Sequence, residues 1–157
     1  MPLGYIAEGL FFLLQFIHKE QMGESFMWIK YNNNPAGRAV GDCAVRAVAK
    51  ALGIDWEQAF LLITSAAYQM GDMPSSNSVW GAVLRQHGFY RAAIENECPD
   101  CYTAKDFARD NPEGVFVLGF GNHVVTVIDG DIYDSWDSSN EVPQYFWYRK
   151  DEMKNAV

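Results

Sequence analysis

Positive charge is scarce in this chain. Twelve Lys and Arg stand against twenty Asp and Glu, a formal net charge of −8. Non-specific nucleic-acid binding needs a basic surface, so this balance argues against it. Cysteine is scarce too, and the three present are an odd number. A full disulfide framework is therefore unavailable, and a reducing, cytoplasmic compartment is the simpler expectation. Long apolar runs are missing. Leu10 to Ile17 is the most apolar stretch, and it falls short of the roughly 18–20 residues that span a bilayer. No basic segment precedes it and no clear small-residue cleavage site follows, so it makes a poor secretory signal. There is no Gly-rich phosphate loop, no internal repeat and no second CxxC to complete a zinc site.

What remains is a chain of 157 residues that is 49% hydrophobic, enough for one domain with a real core. We expect residues 1–26 to be a leader or appended apolar segment and 27–157 to be the domain. An ordinary packed helix is the alternative for the first part.

The turn-rich loop Tyr31-Asn32-Asn33-Asn34-Pro35-Ala36-Gly37 leads to Asp42, which can cap a helix running to Leu52, with Gly53 as its stop. Asp55 caps a second helix, and Gln58 three places on completes a capping box. Its Trp56, Ala59, Phe60, Ile63, Ala67 and Met70 follow helical spacing, so Trp56 and Phe60, like Trp80 in the next helix, are expected in the core. A third helix spans about Asn77 to His87, ended by Gly88. Phe89 to Ile94 reads as a strand, and Thr103 caps a short helix. Strands then dominate: Val115 to Phe120, His123 to Ile128, Ile132 to Trp136 and Gln144 to Arg149. Helices followed by an antiparallel sheet make an α+β layout.

Cys43 stands at a helix N-terminus, where the helix dipole favours its thiolate. His123, at the head of a strand, can supply a base, and an acid on the next strand can orient it. Hairpin arithmetic selects that acid. A two-residue Asp129-Gly130 turn makes paired numbers sum to 259, which puts Asp134 diagonal to His123 on one face. A three-residue turn would put Asp137 opposite it instead, and Asp137 stays the runner-up. Trp136 could shield the bond between His123 and its acid, with Asp42 and Asn122 also lining the site.

The segments Asn34-Pro35, Val40-Gly41-Asp42-Cys43, Arg46-Ala47, Gly71-Asp72-Met73-Pro74, Val79-Trp80-Gly81-Ala82, His123-Val124-Val125 and Trp136-Asp137-Ser138 together resemble small papain-like proteins of bacteriophages and prophages. The likeness covers about residues 29–148. Asp42-Cys43 resembles the Asp-Cys pair of bacteriocin-processing peptidases. Asp134-Ser135-Trp136 resembles the Asn-Ser-Trp segment of papain, with Asp for Asn. The resemblance implies a papain-like fold in a bacterial host and a Cys43–His123–Asp134 triad. It also implies a cysteine peptidase or related amide hydrolase that forms an acyl-enzyme on peptide or cell-wall peptide, with no cofactor and no metal. Such enzymes carry a glutamine for the oxyanion about six residues before the cysteine. Gly37 stands there in this chain, leaving Asn34 or Asn33 to supply an amide. That departure keeps two alternatives open: an inactive binding protein on the same scaffold, and acyltransferase or transglutaminase-like chemistry.

Each of these residues also has a blander reading. A cysteine in an Ala/Val helix is most often a small core residue. Cys98-Pro99-Asp100-Cys101 could be half a zinc site, a redox pair or two structural thiols, and a loop-stabilising or incidental role is favoured. Asp129 and Asp131 read as solvated turn residues rather than calcium ligands. His18 and His87 lack the context of a base.

Overall fold

The computed structural model describes residues 26–149. The expected leader and the polar tail lie outside the described residues, except for Phe26. The architecture is α+β, with four helices and one six-stranded sheet. In chain order the elements are β1 (Met27–Lys30), α1 (Cys43–Leu52), α2 (Trp56–Met70), α3 (Asn77–Gln86) and β2 (Phe89–Ala93). Then come α4 (Ala104–Asp110), β3 (Val115–Gly119), β4 (Val124–Ile128), β5 (Asp131–Asp134) and β6 (Tyr145–Arg149). The sheet order is β1-β5-β4-β3-β6-β2.

The sheet is mixed rather than antiparallel, which corrects the sequence reading. β1 pairs parallel to β5, with Lys30 beside Asp134. Met-Trp-Ile-Lys is too short to show period-two alternation, so this edge strand left no signal in the pattern. The hairpin register is as the turn chemistry demands. Thr126 faces Tyr133 and Ile128 faces Asp131, while Asp129 and Gly130 both take positive φ, 49° and 77°, as a type I′ turn requires.

Two apolar layers cover the two faces of the sheet. On one side Val48, Ile63, Val79, Trp80 and Leu84 of α1–α3 pack on Val117, Val124, Tyr145 and Trp147. On the other, Phe107 of α4 packs with Phe116, Leu118, Val125, Val127 and Ile132. α1 is pinned to β4 at one buried point, where the Thr126 hydroxyl donates to the Ala47 carbonyl at 2.8 Å. That bond fixes the height of α1 along the strand, and with it the position of Cys43 relative to the start of β4. Among the described residues no helix is long and apolar enough to cross a membrane.

Candidate functional site

One end of the sheet gathers the C-termini of β3 and β5 and the N-terminus of β4. The parallel course of β1 sends the chain out at this same end. The Tyr31 N–H donates to the Asp134 carbonyl at 2.7 Å, so the loop that follows passes over the strand tips and delivers Cys43 to them. The tight connection from β3 to β4, closed by Phe120 N–H to the His123 carbonyl at 2.8 Å, holds His123 just before its strand. A local turn thus places His123, while Cys43 is placed by long-range bonds to β4 and β5.

His123 Nε2 and Asp134 Oδ2 lie 2.7 Å apart, and Asp134 is 3% exposed. Nδ1 is the ring nitrogen left for the sulfur. The half-buried Cys43 thiol lies close enough to this ring and to the Val124 backbone N–H for both to favour its anion. Burial pushes the thiol up. The bonds from His123 and Val124, with the charges of His123 and Arg46, outweigh it and hold Cys43 below its ordinary value. Burial likewise pulls His123 down, but the hydrogen bonds from Asp134 and Cys43 lift it to about 9. Both shifts favour passing the thiol proton to the ring, toward a thiolate beside an imidazolium. Trp136 and Phe120 flank the imidazole, with ring centroids 5.1 and 6.0 Å away.

Asp137 does not reach the histidine. Its carboxylate accepts from the Ser139 N–H at 3.1 Å, inside the turn after β5. The CxxC is closed as a Cys98–Cys101 disulfide between β2 and α4, and no metal-binding group of His, Cys, Asp and Glu exists among the described residues. His87 bonds the Val83 carbonyl at 2.8 Å through Nδ1, an ordinary helix-end contact.

Asp42 departs most from expectation. It occupies the N-cap of α1 but makes no side-chain cap bond. Its carboxylate, 6% exposed with its residue, accepts from Arg46 Nη1, from Trp56 Nε1 at 2.9 Å and from Asn34 Nδ2 at 3.4 Å. Arg46, equally buried, then reaches Ser135 Oγ at 3.2 Å and Asp134 Oδ1 at 3.7 Å. Charges thus alternate in an unbroken line: Asp42, Arg46, Asp134, His123, Cys43. Sequence reasoning gave Arg46 and Ser135 no role. The available signal was a lone arginine four residues after an aspartate on an otherwise Ala/Val helix, the spacing at which such side chains meet.

The sulfur opens on a cleft of about 730 Å³, walled by Asn34, Val40, Trp56, Phe60, Pro74 and Asn122 among others. Phe60 is not core. It is 40% exposed and stacks on Trp56 with centroids 4.9 Å apart, so the pair forms an aromatic wall of the cleft; helical spacing alone cannot separate a cleft wall from a core. Asn34 lines the cleft, whereas Asn33 does not and its side-chain carbonyl is buried without a partner. Gly37 has a φ of 63° in the turn closed on the Asn34 carbonyl, a left-handed conformation that disfavours glutamine there. No family model, curated protein or solved structure matches the chain.

Proposed function

We propose that this protein is a cysteine peptidase or related amide hydrolase on a papain-like scaffold. Cys43 is the nucleophile, His123 the acid–base and Asp134 the orienting residue. One observation carries the reading: a histidine bonded at 2.7 Å to a buried carboxylate shares the floor of a cleft with a thiol that it holds below its ordinary value. The order of the three residues and the helix-head cysteine also support the resemblance.

In this reading the Cys43 thiolate attacks a carbonyl carbon of the substrate. The developing oxyanion meets the Cys43 backbone N–H, which has no backbone partner among the described residues, and the amide of Asn34. His123 passes the Nδ1 proton to the leaving amine as the carbon–nitrogen bond breaks, leaving a thioester. It then takes a proton from water as the water attacks, which releases the acid and restores the thiol. Asp134 keeps Nε2 protonated and the ring in line. The cleft is lined by amide, hydroxyl and aromatic groups, which suits a peptide or cell-wall peptide.

Alkylation of Cys43 by iodoacetamide at pH 6 tests the proposal. We expect labelling at least roughly tenfold faster than for an unperturbed thiol, which is almost wholly protonated at that pH. We expect His123→Ala to bring it back to the ordinary rate. Labelling of the native protein at the ordinary rate would sink the enzyme and leave a binding protein on the same scaffold.

A further inference from the structure

A second, smaller recess of about 160 Å³ lies between α3 and the β2–β6 edge of the sheet. Asn77, Ser78, Trp80, Arg85, Arg91, Tyr145 and Trp147 line it. No carboxylate is among them, in a chain whose net charge is −8. Arg91 stands opposite Trp147 in the β2–β6 register, with its guanidinium 4.0 Å from the centre of the Tyr145 ring. Arg85, in the last turn of α3, sits 5.0 Å from the centre of the Trp147 ring. Neither arginine has an acidic partner among the described residues.

Two further donors there are unsatisfied. Trp147 is 1% exposed and Tyr145 5%, yet the indole N–H of the one and the hydroxyl of the other lack any hydrogen-bond partner. Buried donors left unpaired are rare in folded proteins and call for an explanation. Asp72, which bonds the lining Ser78, is already committed: its carboxylate takes the Met73 N–H at 2.7 Å and the Ser78 hydroxyl at 2.9 Å. The absence of a side chain at Gly81 lets the indole lie close to α3, since a Cβ there would stand 2.9 Å from Trp147. Two guanidiniums without an acidic partner, in a lining that holds no carboxylate, make a recess that offers positive charge with nothing to neutralise it, beside two buried donors that the fold leaves unpaired. Planar guanidinium forks match carboxylate and phosphate oxygens.

We infer that this recess binds an oxyanion, the carboxylate or phosphate group of a molecule whose remainder lies in the neighbouring cleft. Asn77 and Trp80 line both cavities, so the two adjoin at the start of α3. The site stands on its own donors and does not depend on the chemistry proposed for Cys43.

The test is a titration with inorganic phosphate, and separately acetate, at ionic strength held constant with chloride. The readout is the indole N–H resonance of Trp147, assigned by its loss in Trp147→Phe. We expect a saturable shift, weakened roughly tenfold or more by Arg91→Gln and by Arg85→Gln, the scale of one charge-assisted hydrogen bond. Both arginines are exposed, so neither change should disturb folding. No saturable shift with either ion, or affinity unchanged in both variants, would overturn the site. Two peptides that differ only by glutamate or glutamine, bound to Cys43→Ala, then identify the source. A preference for glutamate that Arg91→Gln abolishes assigns the site to a substrate-borne carboxylate. Equal binding of the two, beside saturable phosphate, assigns it to a free ion. Because every arm reads binding, a failure of thiol chemistry at Cys43 leaves these outcomes unchanged.

Discussion

Helices α1 and α2 both begin behind an aspartate, and the two aspartates are used in opposite ways. Asp55 takes the extended conformation, ψ 170°, and accepts the Gln58 N–H at 2.7 Å, while the Gln58 side chain returns the bond to the Asp55 N–H. Asp42 has ψ 22°, which turns its carboxylate away from the first turn. Three residues after it stands Val45, which cannot close a capping box, and four residues after it stands Arg46. The first turn of α1 is therefore left open to the cleft, while the carboxylate that would have closed it joins Arg46, Trp56 and Asn34. A capped helix end contributes stability locally. An uncapped one leaves free N–H groups and a field that favours an anion, which is what a reactive thiol at position 43 needs.

The sharpest way to break this comparison is to remove each aspartate in turn. Asp42→Ala takes its nearest acid from the buried Arg46 guanidinium, leaving it Ser135 and the Asp134 carboxylate 3.7 Å away, and losing one partner of a buried ion pair costs up to about 3–5 kcal/mol. Urea denaturation should show a loss of that order. A loss near 1 kcal/mol would mean that Asp42 is only a cap after all. Replacing Asp42 by leucine together with Arg46 by methionine should recover most of the stability, because two apolar residues pack without desolvating charges. The same double variant should label slowly at Cys43, since Arg46 no longer supports Asp134 or lowers the thiol. Recovered stability with undiminished labelling would detach the pair from the site.

The contrast between the two helix heads also explains what could be read from the residues alone. Asp55 with Gln58, Thr103 with Asp106 and Asp129-Gly130 are local signals whose partners lie within four positions, and each appears in the structure as its chemistry dictates. Hairpin register carried the argument from Asp129-Gly130 to Asp134 at His123, across eleven residues, because strand geometry is regular. The diversion of Asp42 depends on Trp56 and Asn34, and Arg46 on Ser135, 89 residues away. No periodicity encodes such a meeting. β1 was invisible for a related reason: four residues at a sheet edge carry too little pattern, and their parallel pairing with β5 is decided by the whole sheet. Phe60 shows the limit of the helical period. Spacing puts it on the same side as Trp56, and only the packed structure shows that side opening on a cleft.

A smaller effect sharpens the comparison through pH. His123 is raised from 6.5 to about 9, so taken alone it stabilises the fold fully below pH 6.5 and loses that contribution as pH rises through 9. Cys43 is lowered from 9.0, so taken alone it adds stability as pH rises above its folded value. The unfolded pair, thiol with neutral imidazole, holds one proton between pH 6.5 and 9, and the two folded shifts act on stability in opposite senses as pH rises toward 9. The Cys43 slope opposes the His123 slope, and native stability should decline less with pH than His123 alone would dictate. Cys43→Ala removes one slope and exposes the other. The variant should lose stability steadily as pH rises from 6.5, because the Asp134 hydrogen bond still raises His123. Chemical denaturation at a series of pH values measures both curves. A parallel decline in the native protein would show that the thiol is not ionised beside the histidine. No equivalent difference should follow from changes at the head of α2, where no titrating pair faces the helix end.

The smallest effect comes from that second helix head. Asp55→Ala removes one carboxylate that accepts one backbone N–H at an exposed helix start, and such a loss costs about 1 kcal/mol. The reciprocal bond from Gln58 loses its geometry with it, but both groups remain in contact with water, so nothing buried is left unpaired. α2 carries Trp56 and Phe60 toward the cleft, and Trp56 also holds Asp42. Fraying of the first turn of α2 would therefore be felt at the site only if the cap were needed to hold Trp56. The indole is held at its other end by stacking on Phe60 and by the bond to Asp42, so we expect the Cys43 labelling rate of Asp55→Ala to match the native protein within the error of the measurement. A labelling rate that falls along with stability would mean that the two helix heads are one mechanical unit, and that the cap on α2 serves the open end of α1.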